Sequence, residues 1–167
     1  MTANTAAIPA PQKPALDELA KAVMLADAPE VEARVRRGAD FNEQNRTGWN
    51  MLTLAANHGR IASARALIDN GADVNKQGKH GVTPLMRAVH MGHAEMILLL
   101  IDKGADPDIC DNNGYTAQRF AESMDNTAMT QVLEQAIGQR HHGVVAERQQ
   151  RLNSRTLKPV IIRGPKL

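Results

Sequence analysis

Apolar and polar positions in residues 81–106 predict two short helices joined by a tight break. Thr83 is placed to cap the first helix with its hydroxyl, and Pro84 follows at the first helical position, where no backbone N–H is needed. A second apolar stretch at about 93–103 predicts another helix, which Gly104 ends as the usual left-handed residue. A pair of helices this short cannot bury its own apolar faces, so it needs neighbours.

Similar stretches lie before and after it at a fixed offset of 33 residues. The recurring positions are turn glycines, glycines that follow a second helix, and helix caps: Gly48, Gly81 and Gly114; Gly38, Gly71 and Gly104; Asn50, Thr83 and Thr116. The second set of glycines opens the blocks GADFN (38–42), GADVN (71–75) and GADPD (104–108). Three copies in one register predict a stack of equivalent units.

A 33-residue period with helix starts like T-P-L-H-x-A resembles the ankyrin-repeat family, from about residue 15 to residue 137. The second repeat departs from the family pattern, since Asn50-Met-Leu-Thr53 stands where Thr-Pro-Leu-His is usual. The resemblance implies an all-α, ankyrin-repeat solenoid of stacked helix-turn-helix units with β-hairpin-like finger loops. It divides the stretch into about four repeats, of which the first and last act as caps: 15–46, 47–79, 80–112 and 113–137. Residues 1–14 are expected to be a flexible N-terminal segment, and 138–167 a basic C-terminal extension.

The composition is that of one compact domain with tails and no membrane span. Hydrophobic residues make up 43% of the 167 and aromatics only 2%, which suits small, closely packed helices. A single cysteine excludes an internal disulfide framework and fits a reducing compartment. No apolar run approaches about 18 residues, and the first residues show no secretory signal. These features predict a cytoplasmic protein, and the short, Ala-rich, tailed design suggests a bacterial one.

Charge is divided unevenly along the chain. Residues 137–167 hold seven Lys or Arg and one acid, Glu147, a net of +6, whereas the remainder carries −4. This C-terminal arm could contact nucleic acid or an anionic membrane, order on a protein partner, pack on its own repeats over Leu98, or stay solvated. Contact with a protein is favoured and nucleic acid ranks third, because the arm lacks interleaved aromatics. The candidate contact residues of the arm are Arg151, Arg155, Lys158, Val160, Ile161, Ile162 and Arg163.

Catalytic and metal-binding motifs are missing from the sequence. It has no phosphate loop, no His-Glu-x-x-His pair and no nucleophile elbow. His90 and His93 are three residues apart but lack a third ligand, and His141 with His142 has the same weakness. Cys110 has no nearby predicted base and is interpreted as a passive thiol. The sequence thus predicts no enzyme, no cofactor and no metal.

The resemblance places partner binding on a concave surface, made by the finger tips and the exposed side of the first helices. Carried over by register, it gives three groups of candidate residues: Arg46, Thr47, Trp49, Asn57 and His58; Lys79, His80, Val82, His90 and Met91; Asn112, Asn113, Tyr115, Ser123 and Met124. Trp49 and Tyr115, the chain's only Trp and Tyr, share one finger position and are typical of interface hot spots. The alternative is that both fold down as packing residues over neighbouring repeats.

Together these features predict a non-enzymatic protein–protein interaction module. It would bind a larger protein and regulate, inhibit or stabilise it through the concave surface and the C-terminal arm. The alternatives are a permanent structural or accessory subunit of a multiprotein assembly, and a bacterial effector delivered into another cell. The protein would be a monomer on its own or a subunit of a hetero-complex, and no motif identifies the partner.

Overall fold

The computed structural model describes residues 13–25, 28–124 and 126–139. Within those ranges the chain forms eight α-helices, one short 3-10 turn at Lys79–Gly81 and no β-strand. The helices are α1 Lys13–Met24, α2 Ala28–Arg36, α3 Met51–Asn57, α4 Ile61–Asp69, α5 Pro84–Met91, α6 Ala94–Asp102, α7 Ala117–Ser123 and α8 at 127–139. The predicted all-α class is confirmed.

The helices pack in two rows. In the first row α1, α3, α5 and α7 contact one another in that order, and α2, α4 and α6 follow one another in the second. Within each unit the two helices also pack together, as α1 with α2, α3 with α4 and α5 with α6. Each helix pair therefore covers the apolar face of the next pair, which is the nearest-neighbour packing of a solenoid.

The first helix of three successive repeats begins at a side-chain cap, as the sequence predicts. The side-chain oxygen of Asn50 accepts a hydrogen bond from the Thr53 amide at 2.8 Å, and that of Thr83 accepts one from the Met86 amide at 3.2 Å. Thr116 does the same at the start of α7. Each cap satisfies an amide in the first helical turn that has no partner within the helix, so the start of each helix is fixed locally.

The predicted ends of the helices agree with the structure to within a few residues. The helix expected at about 93–103 is α6, which runs from Ala94 to Asp102. It follows Gly92, which has a left-handed φ of 73°, and precedes Gly104, with φ of 98°. The final helix, α8, continues past residue 137, where the last repeat is expected to end, to residue 139. It extends past its predicted end because one glycine near the C-terminus of a helix costs only about 1 kcal/mol.

The core consists of small aliphatic side chains. The apolar run 96–101 in α6 is buried at five of its six positions, and only Leu98 is exposed, by 43%. The helices that cover this run are α5 of the same repeat and α4 of the preceding one. The two phenylalanines, Phe41 and Phe120, are only partly buried and pack against the margin of the core.

The finger loops are tight turns that resemble hairpins without forming strands. In each, the amide of the first residue donates a hydrogen bond of 2.9 Å to the carbonyl four residues on: Asn45 to Trp49, Gly78 to Val82 and Asp111 to Tyr115. The turn glycine also donates back to the carbonyl of that first residue. Neighbouring fingers are bonded to each other, since the Lys79 amide donates to Gly48 O at 2.7 Å and the Asn112 amide donates to His80 O at 3.0 Å. The three fingers therefore form one connected row.

The middle finger lacks the side chain that braces the other two. Asn45 Oδ1 accepts from the Trp49 amide at 3.0 Å, and Asp111 Oδ1 accepts from the Tyr115 amide at 2.8 Å. The equivalent residue of the middle finger is Gly78, which has no side chain to accept such a bond. In this finger His80 adopts a left-handed φ of 62°, the only positive φ of a non-glycine residue in the described chain.

Replacing His80 by glycine is expected to raise the free energy of unfolding by about 0.5–1 kcal/mol. A left-handed conformation costs an L-residue roughly 1–2 kcal/mol, and the extra freedom of glycine in the unfolded chain offsets about half of that gain. Urea denaturation followed by circular dichroism measures the change. The matched control is Lys79→Gly, because Lys79 is also exposed on the same finger but has no positive φ. Lys79→Gly should lower the free energy of unfolding. A lower value in both variants would contradict the strain assigned to His80.

Candidate functional site

The candidate partner-binding residues lie on one surface, made by the finger turns 45–49, 78–82 and 111–115 and by the C-terminal parts of α3, α5 and α7. We call this surface the finger face. Twelve of the fifteen predicted residues are exposed. The three that are half-buried are Trp49, Asn57 and Val82, and Val82 packs against the hydrophobic core.

Trp49 is part of a cluster that joins the second and third repeats. The guanidinium carbon of Arg87 lies 4.4 Å from the centroid of the Trp49 ring, within the range of a cation–π contact. Arg87 Nε donates a hydrogen bond of 2.7 Å to Asn57 Oδ1. The half-buried Trp49 ring thus rests on a side chain of the next repeat, as the packing alternative expects, and part of it remains exposed.

The surroundings of Arg87 shift its pKa. Its side chain is half-buried, and burial lowers the pKa of the guanidinium from its ordinary value. An arginine stays charged through such a shift, because its pKa lies far above physiological pH. The site therefore holds a fixed positive charge against an indole ring.

A second aromatic cluster lies at the boundary of the third and fourth repeats. Tyr115, exposed by 37%, has its ring centroid 5.6 Å from that of Phe120. His90 approaches Phe120 edge-on, with the ring centroids 6.2 Å apart and the planes at 87°. The guanidinium carbon of Arg119 lies 5.1 Å from the centroid of Tyr115. This cluster repeats the pairing of a finger aromatic with an arginine.

Arg87, Phe120 and Arg119 were missed by the sequence prediction. Arg87 and Phe120 occupy the same helix position 33 residues apart, three residues before His90 and Ser123. Residues three apart on a helix share a face, so the repeat register together with helical periodicity could have identified both. Only the folded structure identifies Arg119, because its contact is with the ring of Tyr115 in the loop before α7.

The repeats of this chain match a known protein family. A family model described as ankyrin repeats (3 copies) matches residues 19–111, more than half of the chain. This chain belongs to the ankyrin-repeat family. Ankyrin repeats indicate a protein–protein interaction module, and such domains are generally non-catalytic. The chain matches no curated protein sequence.

The histidines and the cysteine of this ankyrin stack do not converge on one point. His93 Nε2 lies 3.2 Å from the backbone oxygen of Asn57, whereas His90 lies against Phe120. Cys110 is exposed, with its sulfur 3.7 Å from Asp108 O. In the described ranges of the chain, no group of three or more His, Cys, Asp or Glu side chains is placed to hold a metal ion. His141 and His142 lie outside those ranges.

A second surface of the ankyrin stack surrounds Leu98. A shallow depression of about 350 Å³ lies between α4 and α6, lined by Ile61, Arg65, Glu95, Leu98, Leu99 and Asp102. The proposed covering segment, the C-terminal arm, lies outside the described residues, as do its candidate contacts Arg151, Arg155, Lys158, Val160, Ile161, Ile162 and Arg163. Among the helices that the structure does describe, none is long and apolar enough to cross a membrane.

Proposed function

We propose that this ankyrin-repeat protein is a non-enzymatic module that binds a larger protein through the finger face and regulates, inhibits or stabilises it. The observation that supports this most directly is the position of Trp49 and Tyr115. They are the only Trp and Tyr of the chain, they share one finger position, and each lies beside an arginine. Trp, Tyr and Arg are the residues most enriched among interface hot spots.

Binding by this surface requires little reorganisation of the protein. The three fingers are bonded to one another, and the Trp49 ring is held against Arg87 before any partner arrives. Immobilising a free side chain at an interface costs about 0.5–1.5 kcal/mol. Because part of that cost is already met within the fold, more of the contact energy becomes available for affinity.

A second contact is made by the C-terminal arm. We propose that the ankyrin-repeat domain, expected at 15–137, ends with α8 at residue 139 and that the rest of the predicted basic extension 138–167, from residue 140 on, lies along the partner. The arm carries the apolar residues Val160, Ile161 and Ile162 among its basic side chains, which suits a segment that orders on a protein surface. We place the protein in a reducing, cytoplasmic compartment because Cys110 is its only cysteine.

A permanent subunit of a larger assembly is the second candidate function. The observation that favours it is the exposed Leu98 in the depression between α4 and α6. A partner that stays bound can cover this apolar surface and the finger face at the same time. A protein of that kind would aggregate or be degraded when it is produced without its partner.

In affinity purification from the native organism, with nuclease added, the Trp49→Ala/Tyr115→Ala variant is expected to lose its protein partner. Truncating a hot-spot residue weakens the binding free energy by about 2 kcal/mol or more. The amount of partner retained should therefore fall at least about thirtyfold relative to the wild type. Quantitative mass spectrometry of the eluates measures the ratio.

Two further forms make the result specific. Arg36→Ala/Arg37→Ala is the matched control, because both arginines are exposed at the C-terminal end of α2, outside the finger turns and the Leu98 depression; it should recover the same partner. A truncation after residue 139 keeps α8 and removes the arm. Loss of the partner with this truncation alone would move the binding site to the arm, and equal recovery by all forms would reject both sites.

A further inference from the structure

We propose that the finger face recognises an acidic segment of its protein partner, and that the guanidinium of Arg87 binds a carboxylate of that segment. This inference rests on the proposed function, because it specifies the chemistry of the partner that the same surface takes. It follows from three properties of the surface: the geometry of Arg87, the charge around it and the covering of the aromatic rings by neighbouring side chains.

Arg87 has hydrogen-bonding capacity that the described chain does not use. Its Nε donates to Asn57 Oδ1 at 2.7 Å, and its guanidinium carbon lies 4.4 Å from the centroid of Trp49. Among the described residues, the bond from Nε is its one side-chain hydrogen bond, and no carboxylate forms an ion pair with it. A guanidinium whose terminal N–H groups are fixed in one plane matches the two oxygens of a carboxylate.

The partial burial of Arg87 makes a carboxylate partner favourable. Removing a charge from water costs free energy, and the lowered pKa of Arg87 reflects that cost. Five other cations of the described chain form ion pairs with carboxylates, among them Arg46 with Asp17 at 3.2 Å and Lys103 with Asp69 at 3.0 Å. An anion supplied by the partner would compensate for the desolvation of Arg87 and would be held more strongly there than at a fully exposed arginine.

The charge around Arg87 has the same sign. None of the fifteen candidate residues is acidic, and Lys79 and Arg119 lie on the same surface, both exposed. The finger face has two acids, the exposed Glu122 and the buried Asp111, whose carboxylate accepts from the amides of its own turn. They are outnumbered by four basic residues: Arg46, Lys79, Arg87 and Arg119. The aspartates of the repeated GAD blocks point their carboxylates at nearby backbone amides, as Asp73 Oδ1 does to the Asn75 amide at 2.9 Å. Although the described part of the chain is acidic overall, the finger face therefore presents positive charge, which attracts an acidic partner.

A protein segment fits this surface better than a nucleic acid or the chain's own arm. Single-stranded nucleic acids need aromatic faces on which bases stack, but one face of Trp49 is occupied by Arg87 and the ring of Tyr115 is flanked by Phe120 and Arg119. Sequence-independent phosphate binding also needs many cations, and this surface has few. The C-terminal arm is itself basic, so its charge opposes docking here.

An array of immobilised 12-residue peptides tests the proposal with the full-length protein. The peptides have random sequences except at one central position, which is Glu, Gln or Lys. Wild-type protein is expected to be retained by Glu peptides at least about tenfold more than by Gln peptides, since charge-assisted hydrogen bonds are roughly twice as strong as neutral ones. Arg87→Gln should abolish this preference. Arg37→Gln, at an exposed arginine just after α2, should leave it unchanged.

Arg87→Lys serves as the second variant, because it keeps the charge but not the planar fork. A reduced but measurable preference for Glu is expected, with circular dichroism showing that both Arg87 variants are folded. Equal retention of Glu and Gln peptides by the wild type, or a preference that survives in Arg87→Gln, would overturn the proposal. A labelled 12-nucleotide single strand that binds more tightly than the Glu peptides, and that needs Arg87, would replace it with nucleic-acid recognition.

The proposed function and the recognition of an acidic segment can be rejected separately. A partner that depends on Trp49 and Tyr115 in the purification, combined with no preference for Glu on the array, leaves the proposed function standing and rejects the acidic segment. A preference for Glu that depends on Arg87, with a partner retained by the aromatic double variant, supports the carboxylate site and rejects the hot-spot assignment.

Discussion

Gly81→Ala is expected to lower the free energy of unfolding by about 2–5 kcal/mol. Gly81 has φ of +76°, and a Cβ there would lie 2.5 Å from Asn112 Oδ1 and 2.9 Å from the Asn112 backbone nitrogen. The left-handed conformation costs an alanine roughly 1–2 kcal/mol, and overpacking against a neighbour adds about 1–3 kcal/mol. The contact includes backbone, so a side-chain rotation alone cannot relieve it. Urea denaturation of both proteins measures the loss.

Gly114→Ala is the matched control for this variant. Gly114 occupies the equivalent position one repeat later, with φ of +78°, and a Cβ there would meet no atom within 4 Å. Only the conformational cost of about 1–2 kcal/mol should remain. The difference between the two variants reports how closely adjacent fingers stack. Equal losses would mean that the fingers move apart at little cost, and the pre-organised surface would then be in doubt.

Leu100→Ala is expected to lower the free energy of unfolding by about 2–5 kcal/mol, the usual range for a buried leucine. Leu100 is fully buried at 0% exposure, in a helix that packs on α5 of its own repeat and on α4 of the preceding one. Truncation leaves a cavity in the middle of the stack, where neighbouring repeats have few ways to close it. Thermal and urea denaturation measure the effect.

Leu98→Ala is the control in the same helix. Its side chain is exposed by 43%, so the loss should stay within about 0.5 kcal/mol. Because each repeat is stabilised mainly by its neighbours, the Leu100 variant should also unfold less cooperatively. The fluorescence of Trp49, in the second repeat, and the far-ultraviolet circular dichroism of the whole chain would then give different midpoints. Similar losses in both leucine variants would contradict the assignment of Leu100 to the core.

The local parts of the fold could be predicted because their causes are local. The caps Asn50, Thr83 and Thr116 act on amides three residues away, and glycines with positive φ end the helices because other residues pay a steric cost there. Such features need only a few neighbouring residues to be identified. The 33-residue recurrence then made each of them visible three times.

The candidate site could be predicted only in part, because its key contacts join different repeats. The sequence indicated Trp49 and Tyr115 as scarce aromatics on loops. It did not indicate that Arg87 lies over the Trp49 ring or that Phe120 lies between Tyr115 and His90. The rotation and spacing of one repeat against the next determine these contacts, and a periodic pattern alone does not specify them.

The repeat period, the helix caps and the family thus follow from the amino-acid sequence alone, since each depends on local backbone preferences repeated in register. The packing of the repeats is what brings the side chains of the finger face together. It also decided that a half-buried arginine lies there beside an indole ring and that Leu98 stays exposed in an otherwise buried helix. Those outcomes depend on how neighbouring helices pack in three dimensions, because burial and stacking are properties of the assembled repeats and not of any one of them.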